Sequence, residues 1–100
     1  MKIHFERSGG FTGIPIVAEI DSQALAADEA QHLNELVRAA RFFDLPQHSS
    51  ESSGAGADQF QYKIAIEDEG RTHTVETSDG AASADLQPLL RQLTLLARRR

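Results

Sequence analysis

Near the start of the chain, apolar and polar residues alternate in two short runs. Ile3 and Phe5 are interleaved with Lys2, His4 and Glu6, and Ile14, Ile16, Ala18 and Ile20 alternate with Pro15, Val17, Glu19 and Asp21. A period of two places one apolar set on one face, so each run predicts a half-buried strand. Between them, Ser8-Gly9-Gly10-Phe11-Thr12-Gly13 carries three glycines. Glycine reaches the positive φ that a tight reversal needs, so the pair predicts a β-hairpin. Pro15 lacks an N–H, which makes the second strand a candidate sheet edge near that end.

From Ala27 the period changes to three and four: Ala30, Leu33, Leu36, Val37 and Ala40 form one stripe, with Asp28 and Glu29 where a helix N-terminus favours anions. Ala26-Ala27 at the entry is a poor cap. Asp44-Leu45-Pro46 disfavours further helix, so the helix is expected to end near Phe43. Residues 46–58 include Ser49-Ser50-Glu51-Ser52-Ser53-Gly54-Ala55-Gly56, which has nothing to pack and predicts a mobile loop, not a linker between domains. Phe60, Tyr62, Ile64 and Ile66 then alternate with Gln61, Lys63, Ala65 and Glu67 up to the turn Asp68-Glu69-Gly70, and Arg71 to Thr77 forms the partner strand of a second hairpin. Leu86, Leu89, Leu90, Leu93, Leu96 and Ala97 predict a last helix, capped by Ser83 or Asp85, with Pro88 in its first turn. The closing arginines 98–100 suit the negative end of that helix.

The expected fold is α+β, in the order ββαββα: a four-stranded, mainly antiparallel sheet with two helices packed on one face. Strand orders 2-1-3-4 and 1-2-4-3 both satisfy the pattern. If the first strand ascends, the first helix starts at the bottom and, at about 15 residues and roughly 1.5 Å each, climbs about the length of a strand to end at the top. Loops 8–13, 46–58 and 78–83 then share one end, opposite the tight turn at 68–70 and the short link 21–26. Long glycine-bearing loops on one end of a rigid scaffold make that end the candidate functional surface.

Composition narrows the class. One hundred residues, 40% hydrophobic and 25% charged, fit a single globular domain over residues 1–100. Without cysteine there is neither a disulfide framework nor a thiolate metal site. The start has no apolar run of signal-peptide length and no stretch could span a bilayer, so the expected location is cytoplasmic, with export by a route that needs no such signal left open. A net charge of −5 argues against nucleic-acid binding and fits a positively charged partner surface better.

Catalytic chemistry finds little support. His4, His32, His48 and His73 never stand three to five apart, so no local zinc pair forms, and they read as surface or half-buried sheet residues. Ser8 precedes a turn and a strand, not the strand-turn-helix elbow of a nucleophile. The Gly9–Gly13 run lacks the helix N-terminus of a phosphate loop. Asp28-Glu29 and Asp68-Glu69 suit a helix start and a turn. Two residues stand out instead: Phe11, an aromatic among glycines that either folds back on the core or is presented to a partner, and Asp58, either a strand-terminating aspartate or a carboxylate at the rim of the loop surface.

Several motifs resemble one family: Ile3-x-Phe5-Glu6-Arg7-Ser8-Gly9-Gly10-Phe11-x-Gly13, Phe43-x-Leu45-Pro46, Asp58-x-Phe60-x-Tyr62 and Leu86-x-Pro88-Leu89. They are similar to emfourin, whose members inhibit thermolysin-type, protealysin-like zinc metalloproteases. The resemblance covers nearly the whole chain, and its most distinctive part is the Arg-Ser-Gly-Gly-Phe-x-Gly run. It implies a non-enzymatic, monomeric protein without cofactors that binds the protease 1:1, with two flexible loops entering the cleft. On that resemblance Asp58 reaches the protease zinc, with Asp79 as the fallback, while Phe11 and Ile14 fill substrate pockets beside Gly9, Gly10 and Gly13. The alternative is a non-inhibitory binding or oligomerisation module using an exposed sheet edge, with Pro15 and Lys63 as mild blockers.

Overall fold

The computed structural model describes residues 1–9, 15–47, 60–78 and 83–98. Strands β1 (Lys2–Gly9) and β2 (Ile16–Asp21) precede helix α1 (Ala27–Ala39), and β3 (Phe60–Asp68) and β4 (Arg71–Ser78) precede helix α2 (Gln87–Arg98). The order is thus ββαββα. All neighbouring strands are antiparallel and the sheet runs β2-β1-β3-β4, one of the two orders the sequence allows. Pro15 immediately precedes β2, which is an edge strand as expected. Lys63 lies on β3, inside the sheet, and so cannot guard an edge.

The register sets the core. Ile3 faces Ile20 and Ile66 across the two ladders, and Phe5 faces Ala18 and Ile64. These side chains are buried together with Val75, with Leu33 and Val37 of α1, and with Leu89, Leu90, Leu93 and Leu96 of α2. Each helix buries the apolar stripe its spacing predicts. The β3–β4 turn has φ of 52° at Glu69 and 82° at Gly70, the two positive values of a two-residue hairpin whose twist matches the strands.

Helix α1 departs from expectation twice. It stops at Ala39, short of Phe43, because Arg41 adopts the left-handed conformation (φ 52°, ψ 49°) before a 3₁₀ turn over Phe42–Asp44. A continued helix would aim Phe42 about 180° from Leu33, into solvent. The left-handed residue turns it back, and Phe42 is 1% exposed. The helix also does not climb to the loop-bearing end. It starts beside the lower end of β2, and its last turns and the 3₁₀ segment lie against Asp68, Glu69 and Arg71, at the lower end of β4. Thirteen residues span about 20 Å, more than the roughly 14 Å width of four strands, so α1 crosses the sheet instead of running along it.

That crossing delivers the chain to the outer edge of β4. The His73 Nε2–H donates to the Leu45 carbonyl (2.7 Å) and the Glu76 N–H donates to the Gln47 carbonyl (2.7 Å), so residues 45–47 cover this edge. Phe42 and Phe43 pack against the His73 ring, and the Arg71 guanidinium lies 4.2 Å from the centre of the Phe43 ring. Helix α1 follows Ala26, which offers no side-chain cap, as the sequence indicates. No helix among the described residues is long and apolar enough to cross a membrane.

Two polar features bear on stability. On the outer face of the sheet, the two ring nitrogens of His4 meet carboxylates on either side: Glu19 of β2 at Nδ1 and Glu6 of β1 at Nε2 (2.6 Å). A carboxylate only accepts, and a neutral imidazole has one N–H, so this arrangement selects the doubly protonated ring. Hydrogen bonding to Glu19, then to Glu6, raises the His4 pKa above its ordinary value against a smaller opposing effect of burial. On the inner face, Thr77 is buried, and its hydroxyl has no partner among the described residues.

Because the folded-state pKa of His4 is raised, its stabilising contribution is fully present below the unfolded pKa and is lost as pH rises through the folded value. The stability difference between the unaltered protein and His4→Gln should therefore be larger at about pH 5.5 than at about pH 9 in urea denaturation. An equal difference at both would contradict the doubly bonded imidazolium. Thr77→Val should stabilise the protein by about 1 kcal/mol in the same assay, since it removes a buried hydroxyl that lacks a partner. A loss of that size would mean that the hydroxyl is satisfied.

Candidate functional site

The strand register gathers the ends of three chain segments at one end of the sheet. Gly9, the last residue of β1, faces Phe60, the first of β3, while Gln61 faces Ser78, the last of β4. Ile16 opens β2 opposite Arg7. The attachment points of segments 10–14, 48–59 and 79–82 therefore lie together, as the sequence-based topology expects. The opposite end holds the Glu69-Gly70 turn, the 3₁₀ turn Ser22–Ala24 and the C-terminal end of α1.

Of the residues singled out from the sequence, Gly9 is described. It ends β1 with φ of 86°, a left-handed conformation that glycine adopts without penalty. Gly10, Phe11, Gly13, Ile14, Asp58 and Asp79 lie outside the described residues.

Below these attachment points the inner face of the sheet is aromatic. The Phe60 and Tyr62 rings are 6.5 Å apart and Tyr62 and Phe5 6.2 Å, a continuous row from the rim into the core. The Arg7 guanidinium stands 4.1 Å from the centre of the Phe60 ring, a cation–π contact tying the end of β1 to the start of β3. Arg7, Tyr62, Gln87, Leu90, Arg91, Thr94 and Leu95 line a groove between the sheet and α2 beside this rim. The placement of Arg7 was readable in principle, since it continues the Ile3-x-Phe5-x series and so belongs to the apolar face. The groove itself was not, because it depends on how α2 lies across the strands.

No group of three or more His, Asp or Glu side chains among the described residues is arranged to hold a metal ion. His4 and His73 are half-buried on the sheet and His32 is exposed on α1, while His48 lies outside the described residues. His4, Glu6 and Glu19 come together, yet the carboxylates occupy opposite nitrogens of the ring and form a clasp between β1 and β2. What this end can do chemically is present a rim of backbone ends, aromatic rings and guanidinium groups to another molecule.

Comparison with curated proteins and with solved structures gives no significant match. Comparison with protein families does: the Emfourin profile matches residues 5–94, a span that contains β2, α1, β3 and β4 whole, most of β1 and α2, and every attachment point described above. The chain belongs to the emfourin family, and hence to a family of protein inhibitors of metalloproteases.

Proposed function

We propose that residues 1–100 form a single inhibitor domain that binds a thermolysin-type, protealysin-like zinc metalloprotease 1:1 and blocks its cleft with segments carried on the loop-bearing end. The observation that supports this most is the register that pairs Gly9 with Phe60 and Gln61 with Ser78. It lets neighbouring segments reach a partner from one rigid frame, with the frame's stability held in the strands and helices below. The catalytic zinc of such a protease keeps one position for water or substrate. Asp58, with Asp79 as the fallback, supplies a carboxylate that displaces this water without presenting a cleavable bond. Phe11 and Ile14 fill the adjoining apolar pockets, and Gly9, Gly10 and Gly13 allow the backbone to approach closely.

One observation favours a second reading. The outer edge of β2 has no pairing segment among the described residues, and Val17 on that strand is 59% exposed. A free edge with an exposed apolar residue can pair with another chain, as a binding or oligomerisation module would. Light scattering separates the two, since the inhibitor is a monomer alone and a 1:1 complex with its protease.

Inhibition assays against thermolysin-type proteases test the first reading. Asp58→Asn and Phe11→Ala should each weaken inhibition by about tenfold to a hundredfold while leaving circular dichroism and thermal unfolding unchanged. Full potency in both variants would overturn the residue assignment. Absence of inhibition by the unaltered protein across the panel would overturn the function.

A further inference from the structure

The molecule carries a net charge of −5, yet the groove beside the loop-bearing end is bounded by two arginines. Arg7 enters from β1 and Arg91 from α2, and neither meets a carboxylate among the described residues. Arg7 is half-buried and held over the Phe60 ring, so its guanidinium is positioned before any partner arrives. The rest of the groove is largely apolar. Leu90 is buried in its floor, Leu95 is 57% exposed, and the Thr94 hydroxyl already donates to the Leu90 carbonyl (2.8 Å). At about 300 Å³ the groove sits at the lower limit of small-molecule sites, room for one or two side chains.

The groove is also continuous with the loop-bearing end. Arg7 lies two residues before Gly9, Tyr62 two after Phe60, and Gln87 opens α2 shortly after Ser83. On the inhibitor reading, a protease held at the loop-bearing end would lie beside the groove. We infer that this groove is a second contact with the target protease, accepting an acidic side chain whose carboxylate lies between Arg7 and Arg91 and whose apolar neighbour packs on Leu90 and Leu95. This inference rests on the inhibitor reading above and adds a requirement on the partner: an Asp or Glu beside an apolar residue on the rim of its cleft. Two arginine side chains lining one groove with an apolar floor suit a carboxylate better than a cation or a neutral polar group. Interface charges of this kind act mainly on association rate and partner choice.

Inhibition constants measured against a thermolysin-type protease at low and high salt decide the matter. Arg91→Glu should raise the constant by about tenfold or more at low salt, with a smaller defect at high salt, and Arg91→Lys should fall between it and the unaltered protein. Leu95→Asp, an exposed position whose change leaves the core intact, should also weaken inhibition. Arg38→Glu, with the same change in net charge at the far end of the molecule, should stay within about twofold. If Arg91→Glu and Leu95→Asp inhibit like the unaltered protein while Asp58→Asn and Phe11→Ala do not, the groove lies outside the interface and the loop reading stands. If octanoate shifts the amide resonances of Leu90, Arg91 and Leu95 while those two variants remain potent, the groove takes a free carboxylate and not the protease. If the unaltered protein inhibits no protease in the panel, the inhibitor reading falls and this inference falls with it.

Discussion

The pairing of β1 with β3 is the constraint on which the rest of the structure depends. These strands are separated by the whole of β2, α1 and segment 48–59, yet they form the centre of the sheet in an unbroken register from Lys2–Glu67 to Gly9–Phe60. Because the side-chain period of a strand is two, a slip of one residue would turn Phe5 and Ile64, both fully buried, toward solvent. Burial therefore fixes the register. The register in turn fixes which chain ends meet: Gly9 with Phe60, and through the β3–β4 ladder Gln61 with Ser78.

The two ends of the molecule consequently have different tasks. At the lower end α1 crosses the sheet, Arg41 turns Phe42 into the core, and Phe43, His73 and Arg71 pack together where the chain passes onto β4. Residues 45–47 then cover the β4 edge, which removes one of the two places where the sheet could pair with another chain. At the upper end the same sheet offers segment attachments, an aromatic row and a groove with two guanidinium groups. A core that runs the length of the sheet holds these attachments on a rigid frame, as binding segments on scaffolds commonly are held.

Much of this was legible in the sequence. The period-two runs located all four strands, the Leu stripe located α2, and the alternating strand directions brought Gly9, Phe60 and Ser78 to one side; the climbing helix expected to carry the chain there is replaced by residues 45–47 passing along the β4 edge. The end of α1 was not legible, because arginine has no preference for the left-handed conformation and Phe42-Phe43 prolongs an apolar pattern that looks helical. Nor was its direction across the sheet, which is decided by packing between Leu33, Val37 and the strands and leaves no mark in local spacing. Of the candidate site, Gly9 was expected in the reversal 8–13 and instead closes β1 opposite Phe60, and Arg7 could have been found from its place in the apolar alternation. The roles proposed for Phe11, Ile14, Asp58 and Asp79 rest on the family resemblance, since neither periodicity nor charge distinguishes an aspartate that ends a strand from one that reaches a metal in a partner.

The most direct test of where this protein acts is amide hydrogen exchange on its complex with a thermolysin-type protease. New protection should appear at Gly9, at Phe60 and Gln61, at Ser78 and in segments 10–14, 48–59 and 79–82. It should be absent at the Glu69-Gly70 turn and along α1. Protection confined to that turn and α1, with the loop-bearing end exchanging as in the free protein, would contradict the proposed binding end.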